Sequence, residues 1–399
     1  MKRLLVFPVV LAMVVTFAPG ALAARRHRAI FVDDSCNAVQ TGTSRHPFCT
    51  INAALTAASP GATIRVRPGF YDELVDVNKP DLTLLGPMAR KPGAANRTDL
   101  RREAVVSHAD GDFHLDQQNV TVAGFTIMDV QDSPASLEAG VLTNHLFGGY
   151  HITNNVIRNN VQGIAFGSSG AGGSKISGNL ILSNNNSGSN GGTGIDGAFE
   201  THDVTIVKNV FRNNNAQSIL FERLAATPAN TDIRVMKNSA DSPFLFYNTT
   251  GSSISRNNLK GGNGSALFFG DDTSGITVSR NRIAAPSFRG IRFRLDFGGA
   301  APTGFTITRN TIDGTGLDGI AAGDPGDTAP AALLNSTISR NRITGSDGDG
   351  LLFAPGSVGN TVSGNKIVGN RHFDIEDDNV SGNTYTHNRC RTSSPSTIC

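Results

Sequence analysis

Apolar and polar residues alternate in short runs along most of this chain, and the runs repeat. One phrase reads Ile152-Thr-Asn-Asn155-Val-Ile157, then Ile176-Ser-Gly-Asn179-Leu-Ile181, Ile206-Val-Lys-Asn209-Val-Phe211, Val278-Ser-Arg-Asn281-Arg-Ile283, Ile338-Ser-Arg-Asn341-Arg-Ile343 and Val362-Ser-Gly-Asn365-Lys-Ile367. A period of two within each copy predicts a strand, not a helix turn. The register positions are Phe125, Asn155, Asn179, Asn209, Asn238, Asn257, Asn281, Asn310, Asn341, Asn365 and Asn383. They lie roughly 18 to 31 residues apart, the spacing of a solenoid. Each Asn is expected to serve structure, tolerating left-handed turn geometry and laddering hydrogen bonds from rung to rung.

A second strand follows each phrase, as in Gly163-Ile-Ala-Phe166, Gly290-Ile-Arg-Phe293 and Gly350-Leu-Leu-Phe353. Strand, Asn-bearing turn and strand together predict an all-β parallel β-helix. Near the start, the Ala-rich stretch from Thr50 to Ala58 ends before Pro60, which predicts a short helix with a stop. A helix there would cap the open end of the stack, where apolar side chains and unpaired backbone would otherwise meet water. The Pro-, Gly- and Arg-rich stretch from Pro87 to Arg102 reads as an excursion, and Leu295–Gly304 and Gly323–Leu334 as long turns.

The first residues are Met1-Lys2-Arg3, an apolar run from Leu4 to Phe17, and Ala21-Leu-Ala23. This predicts a cleaved leader over residues 1–24 and secretion of the rest, since the run is shorter than the roughly 20 residues needed to span a bilayer. The organisation expected beyond it is a cap with the first rungs over 25–103, regular rungs over 104–389, and a terminal loop over 390–399. Cys36, Cys49, Cys390 and Cys399 allow three pairings. Cys36–Cys49 and Cys390–Cys399 are favoured, being close in sequence and placed where a solenoid frays. Lys and Arg number 35 against 33 Asp and Glu, a net +2 with no basic run large enough to suggest nucleic acid. A monomer with no membrane span in the mature chain is expected.

The opening Phe31-Val-Asp33, Pro47-Phe48, Thr50-Ile51, Gly61-Ala-Thr-Ile64, Pro68-Gly69-x-Tyr71 and Leu82-Thr-Leu-Leu-Gly86 resembles the start of the pectate-lyase-like right-handed parallel β-helix superfamily. The Asn-bearing coils resemble that superfamily's repeats, and the similarity covers nearly the whole chain after the leader. The resemblance implies a single-domain right-handed solenoid. It leaves activity open, because the superfamily includes lyases, epimerases, hydrolases, esterases and proteins with no known chemistry.

Alternation places the residue between Ile and Phe, and the one after Phe, on the outside of each second strand. The middle rungs then present Asp196, Glu222, Tyr247, Phe268, Arg292 and Arg294, with Arg223 nearby. Chemistry on a uronate sugar needs a cation for the carboxylate, a base for the C5 proton and an acid for the leaving oxygen. Arg292 and Arg294 would bind the carboxylate bidentately. Tyr247 would act as base or acid, an exposed Phe268 would stack on a sugar, and Asp196 with Glu222 would hold Ca²⁺ through oxygen ligands. The plainer reading is that outward charges keep the solenoid soluble.

Elsewhere, His202-Asp203 reads as a turn before the strand Val204–Val207. Asp347-Gly-Asp-Gly350 reads as a turn, and Glu376-Asp377-Asp378 as a solvated acidic turn. The expected function is recognition of an extracellular polysaccharide, sharpened to a lyase or C5-epimerase on uronates. The alternative is a non-catalytic glycan-binding or structural β-helix.

Overall fold

The computed structural model describes residues 29–95, 97–132, 139–188, 191–197, 199–222, 228–323, 333–379 and 382–399. The expected leader, residues 1–24, lies outside them, as do Arg223 and most of Gly323–Leu334. The chain coils into a right-handed parallel β-helix with three long sheets of 14, 13 and 12 strands. Every strand pair in the three is parallel and runs from one rung to the next. At ~4.8 Å per strand the longest sheet spans roughly 60 Å. Stacking already begins at Ile30–Val32, which pairs with Thr63–Val66.

A regular rung contributes one strand to each sheet. The first sheet takes the strand before the ladder Asn, such as Thr277–Ser279. The 12-strand sheet takes the strand after it, such as Arg282–Ala284. The 13-strand sheet, the third in chain order, takes the Gly-Ile-x-Phe segment, such as Ile291–Phe293. The interior is filled by the inward residues. Phe221, Phe246, Phe269 and Phe293 stack in sequence with ring centroids 5.7, 5.5 and 5.4 Å apart. Phe305 meets Phe269 and Phe293 edge-on at 5.0 Å. Such ring contacts add to the burial of apolar area itself.

The Asn ladder sits at the corner between the first two strands of each rung. Asn281 Nδ2 donates to the Ile254 carbonyl and its Oδ1 accepts from the Asn257 backbone N–H, at 2.9 and 3.0 Å. The same pair of bonds recurs from Asn179 through Asn365. The buried corner backbone is thereby paired on both sides, as burial requires. The residue in the left-handed conformation is the one before each ladder Asn: Arg280 has φ 56° and Gly178 φ 66°. At the last rung the ladder passes from Asn365 to Asn388, not to Asn383. Asn383 belongs to a second ladder with Asn360.

The helix is Ile51–Ala57, capped by Thr50, whose side chain accepts from the Ala53 N–H. Glu73 accepts from the first-turn N–H groups of Ile51 and Asn52, and Lys79 Nζ donates to the carbonyls of Leu55, Thr56 and Ala58. Both helix ends thus carry the charge that suits them. Disulfides join Cys36 to Cys49 and Cys390 to Cys399, with Cα atoms 5.1 and 5.4 Å apart.

The excursion after Pro87 folds back over the Asn corner. Gly93 lies so close that a Cβ there would stand 2.1 Å from the Asn155 carbonyl oxygen. Arg97 forms a fully buried ion pair with Glu103 and also donates to the Phe125 carbonyl. Among the described residues no helix is long and apolar enough to cross a membrane.

Candidate functional site

The third sheet brings distant residues into one axial column. Asp196 pairs with Leu220, then Leu245, Phe268, Arg292, Ala321, Leu352 and Glu376 follow in unbroken parallel register. Adjacent members stand ~4.8 Å apart, so Leu245 to Glu376 covers roughly 24 Å of surface. Glu222, Tyr247, Gly270, Arg294 and Gly323 follow the inward aromatic or apolar residue on their rungs and form the neighbouring column. Their backbone N–H groups donate to the carbonyls of Gly197, Phe221, Phe246, Phe269 and Phe293.

The middle of this face carries an aromatic and ionic platform. Tyr247 packs against Phe268 and Phe297, with centroids 5.5 and 5.4 Å away. The Tyr247 hydroxyl donates to Asp296 Oδ2 at 2.7 Å, and Arg294 Nε lies 2.8 Å from Asp296 Oδ1. Burial, then the Asp296 hydrogen bond and charge, push the Tyr247 phenol well above its ordinary range. It therefore stays protonated at neutral pH. Arg292 lays its guanidinium over Phe288 at 5.0 Å and Phe268 at 6.0 Å, distances typical of cation–π contact.

The turn after Arg294 is set by the buried carboxylate of Asp271, which accepts from the backbone N–H groups of Asp296, Phe297 and Gly299. Burial alone would raise the Asp271 pKa, but these three donors outweigh it and hold it low. Phe297 is thereby fixed in the turn and is 63 % exposed. Beside it a cavity of about 300 Å³ is lined by Gln217, Leu220, Glu222, Leu245, Tyr247 and Phe297.

Of the residues expected from sequence, Tyr247, Phe268, Arg292 and Arg294 come together. Glu222 borders the same cavity. Two placements differ from expectation. Asp196 sits in the column but is 1 % exposed, and Phe268 is 7 % exposed because Tyr247 and Arg292 flank it. A ring covered on both sides does not offer a face to a sugar. Phe297 does, and its signal in the sequence was only its place in a long turn.

A second cluster lies further along the same face. Asp349 is 4 % exposed, His372 Nδ1 lies 3.0 Å from its Oδ1, and Glu376 Oε2 lies 3.6 Å from that nitrogen. Asp347–Gly350 and Glu376–Asp378, read from sequence as unrelated turns, therefore meet. Glu376 and Asp377 are in the strand Ile375–Asp377, and Asp377 accepts from Tyr385 Oη at 2.6 Å. The donor atoms of Asp349, His372 and Glu376 lie within 4.8 Å of one another. Ca²⁺ takes six to eight oxygens, and an imidazole with two carboxylates falls short of that set.

No family model matches the chain, and no curated protein matches it. Solved structures do. The catalytic unit of a thermostable GH87 α-1,3-glucanase from Streptomyces thermodiastaticus matches with a TM-score of 0.57 at 16 % identity, over 92 % of this chain and 69 % of that one. The Dettilon tailspike protein matches with a TM-score of 0.54 at 15 % identity, over 86 % of this chain and 63 % of that one. The chain has a right-handed parallel β-helix fold. At these identities the likeness concerns the path of the backbone. The side chains on this β-helix's third sheet have to be read on their own terms.

Proposed function

We propose that this chain is an exported β-helix protein that binds an extracellular uronate-containing polysaccharide along its third sheet, with lyase or C5-epimerase chemistry as the sharper form of that reading. The observation that carries it is the continuous face from Tyr247 and Phe297 through Arg292 to Glu376. A linear polymer matches a straight axial face. Phe297 offers an apolar ring for a sugar face, and aromatic side chains with a polar rim are what binding surfaces use. Arg292 and Arg294 supply guanidinium groups for the sugar carboxylates, Arg294 by sharing itself with Asp296. Two disulfides at the ends of the stack suit an oxidising compartment. The GH87 neighbour is named for α-1,3-glucan hydrolysis, and this supports the polysaccharide reading only through the shared fold.

Tyr247, with its phenol held protonated, serves here as a hydrogen-bonding part of the platform. The glycan-binding alternative is favoured in this middle region, because burial and Asp296 hold protonated the phenol that would have served as base. The test is a panel of alginate, pectate and glycosaminoglycans, with and without Ca²⁺. It reads binding by calorimetry and unsaturated uronates by ultraviolet absorbance. Binding that falls in Arg292→Ala is the expected result. Failure to bind any acidic glycan, with Arg292→Ala and Tyr247→Ala matching the parent, removes the proposal.

A further inference from the structure

The C-terminal rungs hold an acid–base arrangement that recognition alone does not require. Asp349 is fixed from several sides. Its carboxylate accepts the Phe373 backbone N–H at 2.8 Å, and its own backbone N–H donates to Asp318 Oδ1 at 2.9 Å. Asp318 is in turn held by Arg289, whose Nε donates to Asp318 Oδ2 at 2.7 Å, with both side chains buried. On the open side, Asp349 faces His372 and Glu376, the ligating atoms of the three lying within 4.8 Å of one another. Glu376 and His372 border a cavity of about 660 Å³, with Arg371 on its rim and Leu352 in its floor. Glu376 is the direct continuation of the Phe268–Arg292 column. A polymer lying on the platform is led to it.

We propose that this cluster is the acid–base centre of a uronate lyase, with Glu376 removing the C5 proton and His372 protonating the leaving oxygen. The step balances within the site. Glu376 takes the proton from C5, and the C5–H electron pair becomes the C4–C5 double bond. The C4–O4 bond breaks, and O4 takes a proton from the His372 imidazolium. One product then carries an unsaturated uronate and the other a free hydroxyl. Proton return from Glu376 to His372, 3.6 Å away, restores the starting state. Arg371, whose side chain is 77 % exposed, is placed to neutralise the sugar carboxylate, which the C5 carbanion character demands.

Spacing argues for elimination over hydrolysis. Inverting glycosidases hold their carboxyl groups about 6.5–9.5 Å apart and retaining ones about 5–5.5 Å apart. A carboxylate oxygen of Asp349 lies within 4.8 Å of one of Glu376, closer than either arrangement. Burial first, then the hydrogen bond and charge of Asp349 and the charge of Asp378, push the Glu376 carboxyl up to about 7, while His372 pulls it down. A base matched to neutral pH is what proton abstraction needs. Arg289, Asp318, Asp347 and Arg371 are the other charged groups around the cavity.

This assignment rests on the uronate-glycan reading, and the experiment separates the two. The full chain is assayed on alginate and pectate from about pH 5 to 9 by ultraviolet absorbance, with calorimetric binding in parallel. The expected result is a rate that climbs through about pH 7 and a loss of roughly 10²–10⁴-fold in Glu376→Gln. His372→Gln is expected to lose activity likewise. Glu376→Gln is close to isosteric and its site is solvent-accessible, so it avoids the folding risk of altering buried Asp349. A parent that cleaves and a Glu376→Gln variant that cleaves equally well overturn the centre. A parent that binds but cleaves neither glycan also overturns it and leaves the binding reading standing. A parent that binds neither glycan ends both.

Discussion

The Tyr247 hydroxyl donates to Asp296 Oδ2 at 2.7 Å across residues 49 apart in sequence. That bond ties one rung to the turn that presents Phe297. A hydrogen bond to a charged group is worth about 1.5–3 kcal/mol when enclosed, and less where water competes. Asp296 is partly open, so Tyr247→Phe is expected to cost about 1 kcal/mol of stability. Thermal or urea unfolding checks this. A variant as stable as the parent would mean that Arg294 alone fixes the Asp296 carboxylate.

Phe297 makes a sharper functional prediction. Its ring is exposed, and the turn beneath it is held by Asp271 and not by the ring's own burial. Phe297→Ala should therefore leave the fold intact. Glycan affinity is expected to fall about three- to tenfold, the equivalent of about 0.5–1.5 kcal/mol for an aromatic contact. Calorimetry on the parent's best glycan reads it, with circular dichroism as the fold control. Unchanged affinity would detach the aromatic platform from recognition.

Asn281 is a structural counterpart. Its buried side chain pairs the Ile254 carbonyl and the Asn257 N–H at once. Asn281→Ala strands both backbone groups inside the corner, and each orphan costs about 1–3 kcal/mol. A loss of about 2–4 kcal/mol is expected from denaturant unfolding. Asn281→Asp should recover only the acceptor half. An alanine variant within about 0.5 kcal/mol of the parent would show that water enters the corner and satisfies both groups.

The rungs were legible in the sequence because each carries its own local signal, a period of two with an Asn at a fixed place. The last one was not. Tyr385-Thr-His-Asn388 lies in a polar stretch with the competing Asn383, and only pairing of Thr384–Thr386 with Thr361–Ser363 decides between them. Outward direction was legible for Tyr247, Arg292 and Arg294, but exposure was not. Alternation says which way a side chain points and nothing about what lies over it, hence the covered Phe268 and the buried Asp196. Asp349 and Glu376 looked like separate turns because neither has a local partner. Stacking of one rung on the next makes them neighbours, and no spacing rule within a rung could show that.

The Glu376 carboxyl makes a stability prediction that does not depend on any substrate. Its ordinary value is 4.5, and in the fold burial and Asp349 lift it to about 7. The folded state thus binds this proton more tightly than the unfolded chain does. By linkage, the stabilisation is complete below about pH 4.5 and is lost as pH rises through about 7. Glutamine keeps the shape but cannot ionise. Glu376→Gln is therefore expected to match the parent near pH 4.5 and to melt at a higher temperature at pH 8. Melting curves of the two proteins across that range decide it. Parallel curves, offset by a constant or not at all, would show that the Glu376 proton is bound no more tightly in the fold than in the open chain, and the pairing with Asp349 would lose its energetic meaning.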